Sequence, residues 1–352
     1  MPRKAVSCSI RRRLFAILLT ANLFVAGLVS VSLLNSHQTH DRMAVVAAEN
    51  LSQVLQQSLD GLLDKIDLSI LAVLDELDRQ TRSGGLQDEL INAFLARQDL
   101  RLPEAFGLRI TNDKGIVTHA VTNVASPLAD MSRSATFLHS STTTDPNLFI
   151  GEPIDSPLTH KISLGFSRRW VLPDGQFAGQ VHVGMSVERL QSSFGMIDLD
   201  QHGSVTLTDQ QGRVLARYPN PAGEMALVTN PTILPTLHAL ISQGKTEGSY
   251  STLSAVDGIE RSYYFRKIGH YPVHILVGIA HQDYLQGWQQ ELRVMTALSV
   301  LFLVVSSATA WLWWRSWRQR QTAGLEMARK DADLALFRQG VGAADGPFRR
   351  GS

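Results

Sequence analysis

Polar side chains alternate with apolar ones between Lys161 and Val171, and two of those on the polar face are cationic. Because successive side chains of a strand point to opposite faces, this alternation predicts a strand with one apolar and one polar face. Ile162, Leu164 and Phe166 share the apolar face, and Lys161, Ser163, Ser167 and Arg169 share the polar one. Hydroxyl and cationic donors on a concave sheet suit a small anion such as a carboxylate. A solvated sheet face explains the same pattern equally well.

Further candidate ligands lie close to this strand in the sequence. The predicted ligand-binding residues are Arg133, Phe137, His139, His160, Lys161, Ser167 and Arg169. For Arg168 and Arg169 a structural ion pair is an equally good interpretation. His139 and His160 could ligate a metal, but no cysteine or close acidic pair accompanies them, so we expect no metal site.

Covalent catalysis finds no support in the sequence. The only cysteine, Cys8, lies in a basic segment near the N-terminus, and there is no Gly-x-Ser-x-Gly elbow. Gly244-Lys245-Thr246 is similar to the end of a phosphate-binding loop, but Ala239 stands where that loop needs a glycine. We therefore expect no catalytic residues and no cofactor.

An internal repeat organises the elements that position these residues. Leu108–His119 aligns without a gap on Val205–Ala216, and each copy predicts a strand, a turn with Asn or Asp before Gly, and a returning strand. Phe177–Ser186 is similar to Tyr271–Ala280, at a nearly equal separation. The sequence therefore predicts two tandem α+β domains, each with an antiparallel sheet.

A long amphipathic helix precedes the first domain and ends at Ser83-Gly84-Gly85. Its apolar residues recur at steps of three and four. They are Leu55, Leu59, Leu62, Ile66, Ile70, Val73 and Leu77. This stripe could pack on the following domain or on the same helix of a second subunit.

Two segments without charged residues, Leu14–Leu34 and Thr296–Trp314, are long enough to cross a membrane. At ~1.5 Å rise per residue each spans roughly 30 Å, the thickness of a bilayer core. Arginines cluster before the first segment and after the second, so the positive-inside rule predicts two cytoplasmic termini and an outer region at 35–294. A cleaved signal peptide ending near Ala47-Ala48 is the alternative for the first segment.

The overall charge gives no indication of a nucleic-acid partner. Lys and Arg number 33 and Asp and Glu number 32, so the balance does not predict nucleic-acid binding. The outer region contains no cysteine, so its own core must hold it together.

Six short motifs between the two apolar segments occur in a characteristic order. They are Asp130–Phe137, Leu148–Pro153, Ser167–Trp170, Asp174–Gly179, Leu215–Pro219 and Asp257–Arg261. Together they resemble the extracytoplasmic double-Cache sensor region, a tandem PAS-like module of the PDC type, found on membrane-bound diguanylate cyclases and histidine kinases. The resemblance implies a membrane-distal domain that binds the ligand and a membrane-proximal domain that relays the signal.

The sequence departs from this family at positions that matter for the ligand. Arg133–Phe137 replaces a frequent Asp-Arg-x-Tyr-Phe pattern, and Gly184 stands near an aspartate of the amino-acid-binding members. The resemblance therefore does not imply an amino-acid ligand. The motif Gly-Gly-Asp/Glu-Glu-Phe and a histidine after His281 are absent, so we expect a sensor without an output enzyme.

The predicted organisation follows from these observations. It consists of a basic N-terminus (1–13), a first span (14–34), a long helix (35–85), a distal domain (86–198), a proximal domain (199–294), a second span (295–314) and a short tail (315–352). We expect a dimeric receptor in the bacterial inner membrane that senses a small, anionic ligand and passes the signal to a cytoplasmic partner. The alternatives are an extracytoplasmic interaction scaffold and the truncated sensor half of a diguanylate cyclase or histidine kinase.

Overall fold

The computed structural model describes residues 2–121, 130–156 and 159–342 of the chain. The end of the predicted tail, residues 343–352, lies outside the described residues. Two compact units are present: Gln38–Gln286, and a second one formed by the two chain ends, Met1–His37 and Gly287–Ser352. Two long helices, α1 (Pro2–Arg82) and α7 (His281–Gly342), each contribute residues to both units.

The first sheet has the strand order β2-β1-β6-β5-β3, and β4 also pairs with β5. Its strands are β1 (Phe106–Thr111), β2 (Val117–Ala120), β3 (Phe149–Ile150), β4 (Ile154–Asp155), β5 (Ile162–Val171) and β6 (Phe177–Ser186). All described pairings in this sheet are antiparallel. Helix α2 (Asp88–Leu100) precedes the sheet, α3 (Ala135–Thr142) lies between β2 and β3, and α4 (Val187–Phe194) follows β6.

The second sheet repeats this arrangement with the order β8-β7-β11-β10-β9. Its strands are β7 (Ser204–Asp209), β8 (Val214–Tyr218), β9 (Glu247–Leu253), β10 (Glu260–Lys267) and β11 (Val273–Ala280). Two short helices, α5 (Ala226–Thr229) and α6 (Pro235–Ser242), lie between β8 and β9. The α+β class and the two antiparallel sheets are as predicted.

The predicted repeat has the same local structure in both copies. In the β1–β2 turn the Asn112 carboxamide oxygen accepts hydrogen bonds from the backbone N–H groups of Lys114 and Ile116, at 3.0 and 2.9 Å. In the β7–β8 turn Asp209 accepts from Gln211 and Arg213 in the same positions. These side chains satisfy backbone donors that the tight turn leaves without a strand partner. Both hairpins form where the sequence predicts them.

Helix α1 provides one wall of a core that both sheets share. Its predicted stripe is buried, except that Leu62 is only partly buried, and it packs on apolar residues of both sheets. In the first sheet the contacts include Leu164 and Phe166 of β5, and in the second Ile275 and Val277 of β11. Of the two packing arrangements that the sequence left open, the stripe therefore adopts the one within its own chain.

In the unit formed by the chain ends, the first helix segment lies beside the last one. The Trp288 indole donates to the Leu33 carbonyl at 3.2 Å, and its ring meets His37 edge to face at 5.0 Å. Further along, the Ser306 hydroxyl donates to the Asn22 side chain at 3.3 Å. Both helices contain a stretch apolar enough and long enough to cross a membrane, and none of either stretch is buried in the protein.

Candidate functional site

The first sheet carries a polar face on the side opposite α1. Cross-strand pairing places Ser167, His182 and Arg109 in one row across β5, β6 and β1. The next row contains Arg169, Gln180 and Thr111. Because directly paired residues of neighbouring strands point to the same face, these six side chains form one surface. All except Arg169 are buried.

Two glycines and an aromatic ring form the next row of this face. Gly165 and Gly184 pair across β5 and β6, and Phe106 pairs with Gly184 from β1. A Cβ atom on Gly165 would approach His182 Nε2 to 2.8 Å and the Thr136 methyl to 2.9 Å. A Cβ atom on Gly184 would meet the Phe106 ring at 2.9 Å. The absence of side chains here lets α3 and the Phe106 ring pack directly on the sheet.

Helix α3 covers part of the polar face. It begins at Ser134, whose hydroxyl accepts from the Phe137 backbone N–H at 3.2 Å, as is typical of an N-cap. The Ser140 hydroxyl lies 3.4 Å from the Ser167 hydroxyl and donates to the Gln180 carboxamide oxygen at 3.1 Å. The Phe137 ring packs 5.9 Å from Phe177 of β6.

Arg109 is a buried cation without an acidic partner. Its side chain lies on the buried polar face, and the residue is only 6% exposed. Its Nε donates to the Gly107 carbonyl at 2.9 Å, and no carboxylate among the described residues forms an ion pair with it. Burial lowers the pKa of Arg109 to about 10. An ionised group in such a position is costly unless an opposite charge compensates it.

Three other polar atoms on this face have no partner among the described residues. They are Arg169 Nε, Gln180 Nε2 and His182 Nδ1. Burial, with a smaller contribution from the Arg109 charge, holds the pKa of His182 well below its usual range, so the ring is neutral. Native structures satisfy most buried polar atoms, so these three donors and acceptors are available to a water molecule or a ligand.

Arg169 occupies the edge of this face and is half-buried. Its guanidinium lies 5.7 Å from the centre of the Phe177 ring, a cation–π arrangement, and it donates to the Thr143 carbonyl. Its neighbour Arg168 points to the opposite face and binds Asp67 of α1, with Nη2 to Oδ2 at 2.8 Å. The ion-pair interpretation therefore fits Arg168, whereas among the described residues Arg169 has no acidic partner.

The structure brings together three of the seven predicted ligand residues: Phe137, Ser167 and Arg169. His139 lies on the next turn of α3 and stacks on the Phe149 ring at 3.9 Å, and burial lowers its pKa. Arg133 is exposed before α3.

The remaining two predicted residues, His160 and Lys161, are exposed where β5 begins. Lys161 binds Glu188 of α4 at 2.6 Å, so its charge is used outside the polar face. Among the described residues, no group of three or more His, Cys, Asp or Glu side chains is arranged to hold a metal ion.

Arg109, Gln180 and His182 were not predicted from the sequence. A signal for the last two exists, since Val181, Val183 and Met185 mark the apolar face of β6 and leave Gln180 and His182 on the other. Arg109 alternates with Leu108 and Ile110 in the same way. The alternation predicts the face on which each side chain lies. It does not predict the strand order, in which β1 and β5 lie on either side of β6.

No protein-family model matches the sequence, and a comparison with curated proteins finds no match. Solved structures match by fold. The extracellular domain of the "putative histidine kinase rpHK1S-Z16" is 22% identical over 69% of this chain and 97% of that domain, with a TM-score of 0.59. The periplasmic sensory domain of the Campylobacter jejuni chemoreceptor Tlp1 is 11% identical over 68% of this chain and 96% of that domain, with a TM-score of 0.53. The fold is that of an extracytoplasmic sensor domain.

A third structure extends this agreement to a longer protein. An extracellular ligand binding receptor from Desulfohalobium retbaense is 15% identical over 66% of this chain, with a TM-score of 0.53, and the match spans 40% of that receptor. The predicted resemblance to extracytoplasmic sensor regions is therefore confirmed at the level of the fold. The two exposed apolar helix stretches are long and apolar enough to cross a membrane.

Proposed function

We propose that this protein is a transmembrane receptor whose first domain binds a small anionic ligand on the polar face of its sheet. The observation that carries the proposal is Arg109, a buried cation that no described carboxylate neutralises. A ligand carboxylate would provide the missing charge and accept the unpaired hydrogen-bond donors of Arg169 and Gln180. Phe137 and Phe177 would pack against the apolar part of the ligand.

The neighbours in fold support a sensor role in general terms. They are described as a ligand binding receptor, a chemoreceptor and a putative histidine kinase. The buried cation also favours a sensor over an interaction scaffold, because a scaffold needs an exposed apolar patch and no buried charge.

The relay would pass through α7. This helix begins directly after β11 and continues without interruption into the second apolar stretch. In the proposed arrangement both apolar stretches cross the inner membrane, the termini are cytoplasmic and two copies form the receptor. Ligand binding shifts the equilibrium between two states of the domain, and it needs only to bind one of them more tightly. The output belongs to a cytoplasmic partner or a linked domain, and this chain itself is not an enzyme.

The test is a binding screen of the full chain in lipid nanodiscs against small carboxylates, with the matching amides as neutral controls. We expect a carboxylate to bind and the Arg109→Gln variant to lose at least about tenfold in affinity, since a charged hydrogen bond contributes about 1.5–3 kcal/mol. The control is Arg101→Gln, because Arg101 is exposed at the end of α2.

Stability gives the experiment a second readout. Without ligand, Arg109→Gln should be as stable as the parent or more stable, because it removes an uncompensated buried charge. Ligand binding that Arg109→Gln leaves unchanged would contradict the proposal, as would a large loss of stability that revealed Arg109 as a structural residue.

A further inference from the structure

The second sheet contains a cavity of its own on the face opposite α1. Its volume is about 100 Å³. It is lined by Arg217, Leu234, Pro235, Thr236, Tyr250, Thr252, Leu253, Ser254, Ala255 and Tyr263. The residues come from β8, β9, β10 and the start of α6, so the cavity lies within the second domain.

This cavity uses the same face of the duplicated fold as the first site. Gly278 of β11 corresponds to Gly184 in the sequence repeat, and in both places an aromatic ring from a neighbouring strand lies over the glycine. A Cβ atom on Gly278 would meet the Tyr263 ring at 2.5 Å, as one on Gly184 would meet Phe106. Both domains therefore place an aromatic ring over the central glycine of this face, from β1 in the first sheet and from β10 in the second.

The polar end of the cavity is cationic. Arg217 and Arg261 are 2% and 1% exposed, and both bind the single carboxylate of Asp257 at 2.8–2.9 Å. Burial alone would raise the pKa of Asp257, but hydrogen bonds from Arg261 and Ser254 and the two arginine charges hold it well below its usual range. Two cations thus share one anion, which leaves one positive charge uncompensated within the cluster.

Arg217 is the member of this cluster that lines the cavity. One guanidinium nitrogen donates to the Thr206 hydroxyl at 3.1 Å and another to Asp257 at 2.9 Å. Its third nitrogen, Nε, is buried without a partner among the described residues. A guanidinium that lines a cavity and keeps one donor unused is chemically suited to a carboxylate.

The remaining wall defines the chemistry of the rest of the ligand. Burial, with a smaller contribution from Tyr263, raises the pKa of Tyr250, so its hydroxyl stays protonated. Leucine, proline and tyrosine side chains provide apolar walls. One water molecule needs roughly 10–15 Å³ of cavity volume, and this cavity has about 100 Å³. It therefore has room for a carboxylate and about three to five further carbon atoms.

We propose that the second domain holds an independent ligand site in which Arg217 binds the carboxylate of a short-chain monocarboxylate. The inference goes beyond the proposed function of the first domain and does not depend on it, because the two sites share no residue. Its donors are Arg217 and the Tyr250 hydroxyl, and its apolar chain lies against Tyr263 and Leu234.

The site lies close to the first turn of α7. Arg261 Nε donates to the His202 carbonyl at 2.6 Å, and Asp283 accepts from the His202 backbone N–H and binds its ring, at 2.8 and 2.7 Å. Asp283 belongs to the first turn of α7. A ligand that draws Arg217 away from Asp257 leaves Arg261 as the only cation bound to that carboxylate. Because Arg261 also binds His202, and His202 binds Asp283, the change can reach the first turn of α7.

The experiment uses the full chain in lipid nanodiscs, labelled with 3-fluorotyrosine, and butyrate as the probe with butyramide as the neutral control. All six tyrosines lie between Tyr218 and Tyr284, so the fluorine signals report on the second domain and the start of α7. Tyr250→Phe identifies the Tyr250 signal. We expect butyrate to shift that signal saturably and butyramide to leave it unchanged. Absence of a saturable shift overturns the proposal.

Two variants localise the binding. Arg217→Gln should weaken butyrate binding at least about tenfold, whereas Arg109→Gln should leave it unchanged, which separates this site from the one in the first domain. If Arg217→Gln fails to fold, Thr252→Phe decides, since it fills the cavity and keeps the arginine cluster. Unchanged butyrate affinity in a folded Arg217→Gln or Thr252→Phe protein overturns the proposal.

Discussion

Three arginines show how the same side chain serves different purposes in this protein. Arg168 and Asp67 form a nearly buried ion pair that joins β5 to α1. Arg217 shares Asp257 with Arg261 and keeps one donor free. Arg109 has no described acidic partner at all. A buried charge without a partner reduces stability, so Arg109 and the incompletely neutralised Arg217–Arg261 pair are costly in the absence of ligand. Ligand binding at both positions, as proposed, would offset that cost.

His182 makes the stability of the protein depend on pH. Its folded-state pKa lies well below the ordinary value, as does that of His274, which burial and the Lys267 charge lower to about 4. A histidine with a depressed folded pKa binds its proton only after unfolding. The stability is therefore complete above about pH 6.5 and decreases as the pH falls towards the folded pKa.

We expect each of these histidines to lower the free energy of unfolding by about 1.4 kcal/mol between about pH 7.5 and about pH 5.5. The His182→Gln variant should lose that much less stability over the same range. Urea unfolding in nanodiscs measures this, because Trp170 is the only tryptophan among residues 38–286 and reports on the first domain. The exposed His160 provides the control, and His160→Gln should keep the pH dependence of the parent. Equal pH slopes for the parent and His182→Gln would show that folding does not change the pKa of His182, which contradicts the prediction.

At the scale of elements, α1 is the part that holds the two sheets in one core. A small apolar gap of about 10 Å³ lies where Leu59 and Leu63 of α1 meet both sheets, and it has room for at most one water molecule. Its lining comes from β5, β6 and α4 on one side and from β7 and β11 on the other. The packing of α1 therefore couples the stability of the first domain to that of the second.

Leu63→Ala tests this coupling. The substitution enlarges the gap, so we expect a loss of about 2–5 kcal/mol in the free energy of unfolding. Hydrogen exchange should become faster in both sheets by a similar factor, since they share the core. Leu68→Ala is the matched control, because Leu68 lies on the same helix and is 65% exposed. Faster exchange in only one sheet after Leu63→Ala would mean that the two domains unfold independently.

The elements were more predictable than the site. Hairpin turns, the α1 stripe and the alternation of β5 follow from local spacing, and the structure contains all of them. The alternation along β5 predicts Lys161 on the polar face with Ser167 and Arg169, and His160 directly precedes it. Their positions at the exposed start of the strand follow from where β5 begins, and Arg109 joins the face only through the pairing of β1 with β6. Contacts between strands that are far apart in the sequence cannot be predicted from local spacing.

At the scale of the whole molecule, the duplication gives two sheets with a common inner side and two outer faces of the same design. The inner sides are apolar and pack on α1, whereas the outer faces carry Arg109 in the first domain and Arg217 in the second. The cations occupy different strands, since Arg109 corresponds to Thr206, to which Arg217 of the neighbouring strand donates. The buried cation of the outer face therefore comes from a different strand in each domain, although the two sheets correspond.

The distribution of charge along the whole chain predicts its orientation in the membrane. Arg11, Arg12 and Arg13 precede the first apolar stretch, and Arg315 and Arg318 follow the second. Because basic flanks are retained on the cytoplasmic side, this distribution predicts that both termini lie inside and residues 35–294 outside. The single native cysteine, Cys8, makes this arrangement measurable by labelling with a membrane-impermeant maleimide.

We expect intact spheroplasts to show no labelling at Cys8, and labelling there only after permeabilisation. In a Cys8→Ser background, Ser141→Cys on the exposed side of α3 should react in intact spheroplasts, whereas Ser352→Cys should require permeabilisation. Labelling of Ser352→Cys in intact spheroplasts would show that the C-terminus lies outside, so the second apolar stretch would not cross the membrane. Loss of the segment that carries Cys8 from the mature chain would instead identify the first apolar stretch as a cleaved signal peptide. The first outcome would contradict the proposed relay, because α7 would no longer connect two compartments. The second outcome would leave α7 as the only span and would contradict the arrangement with two spans.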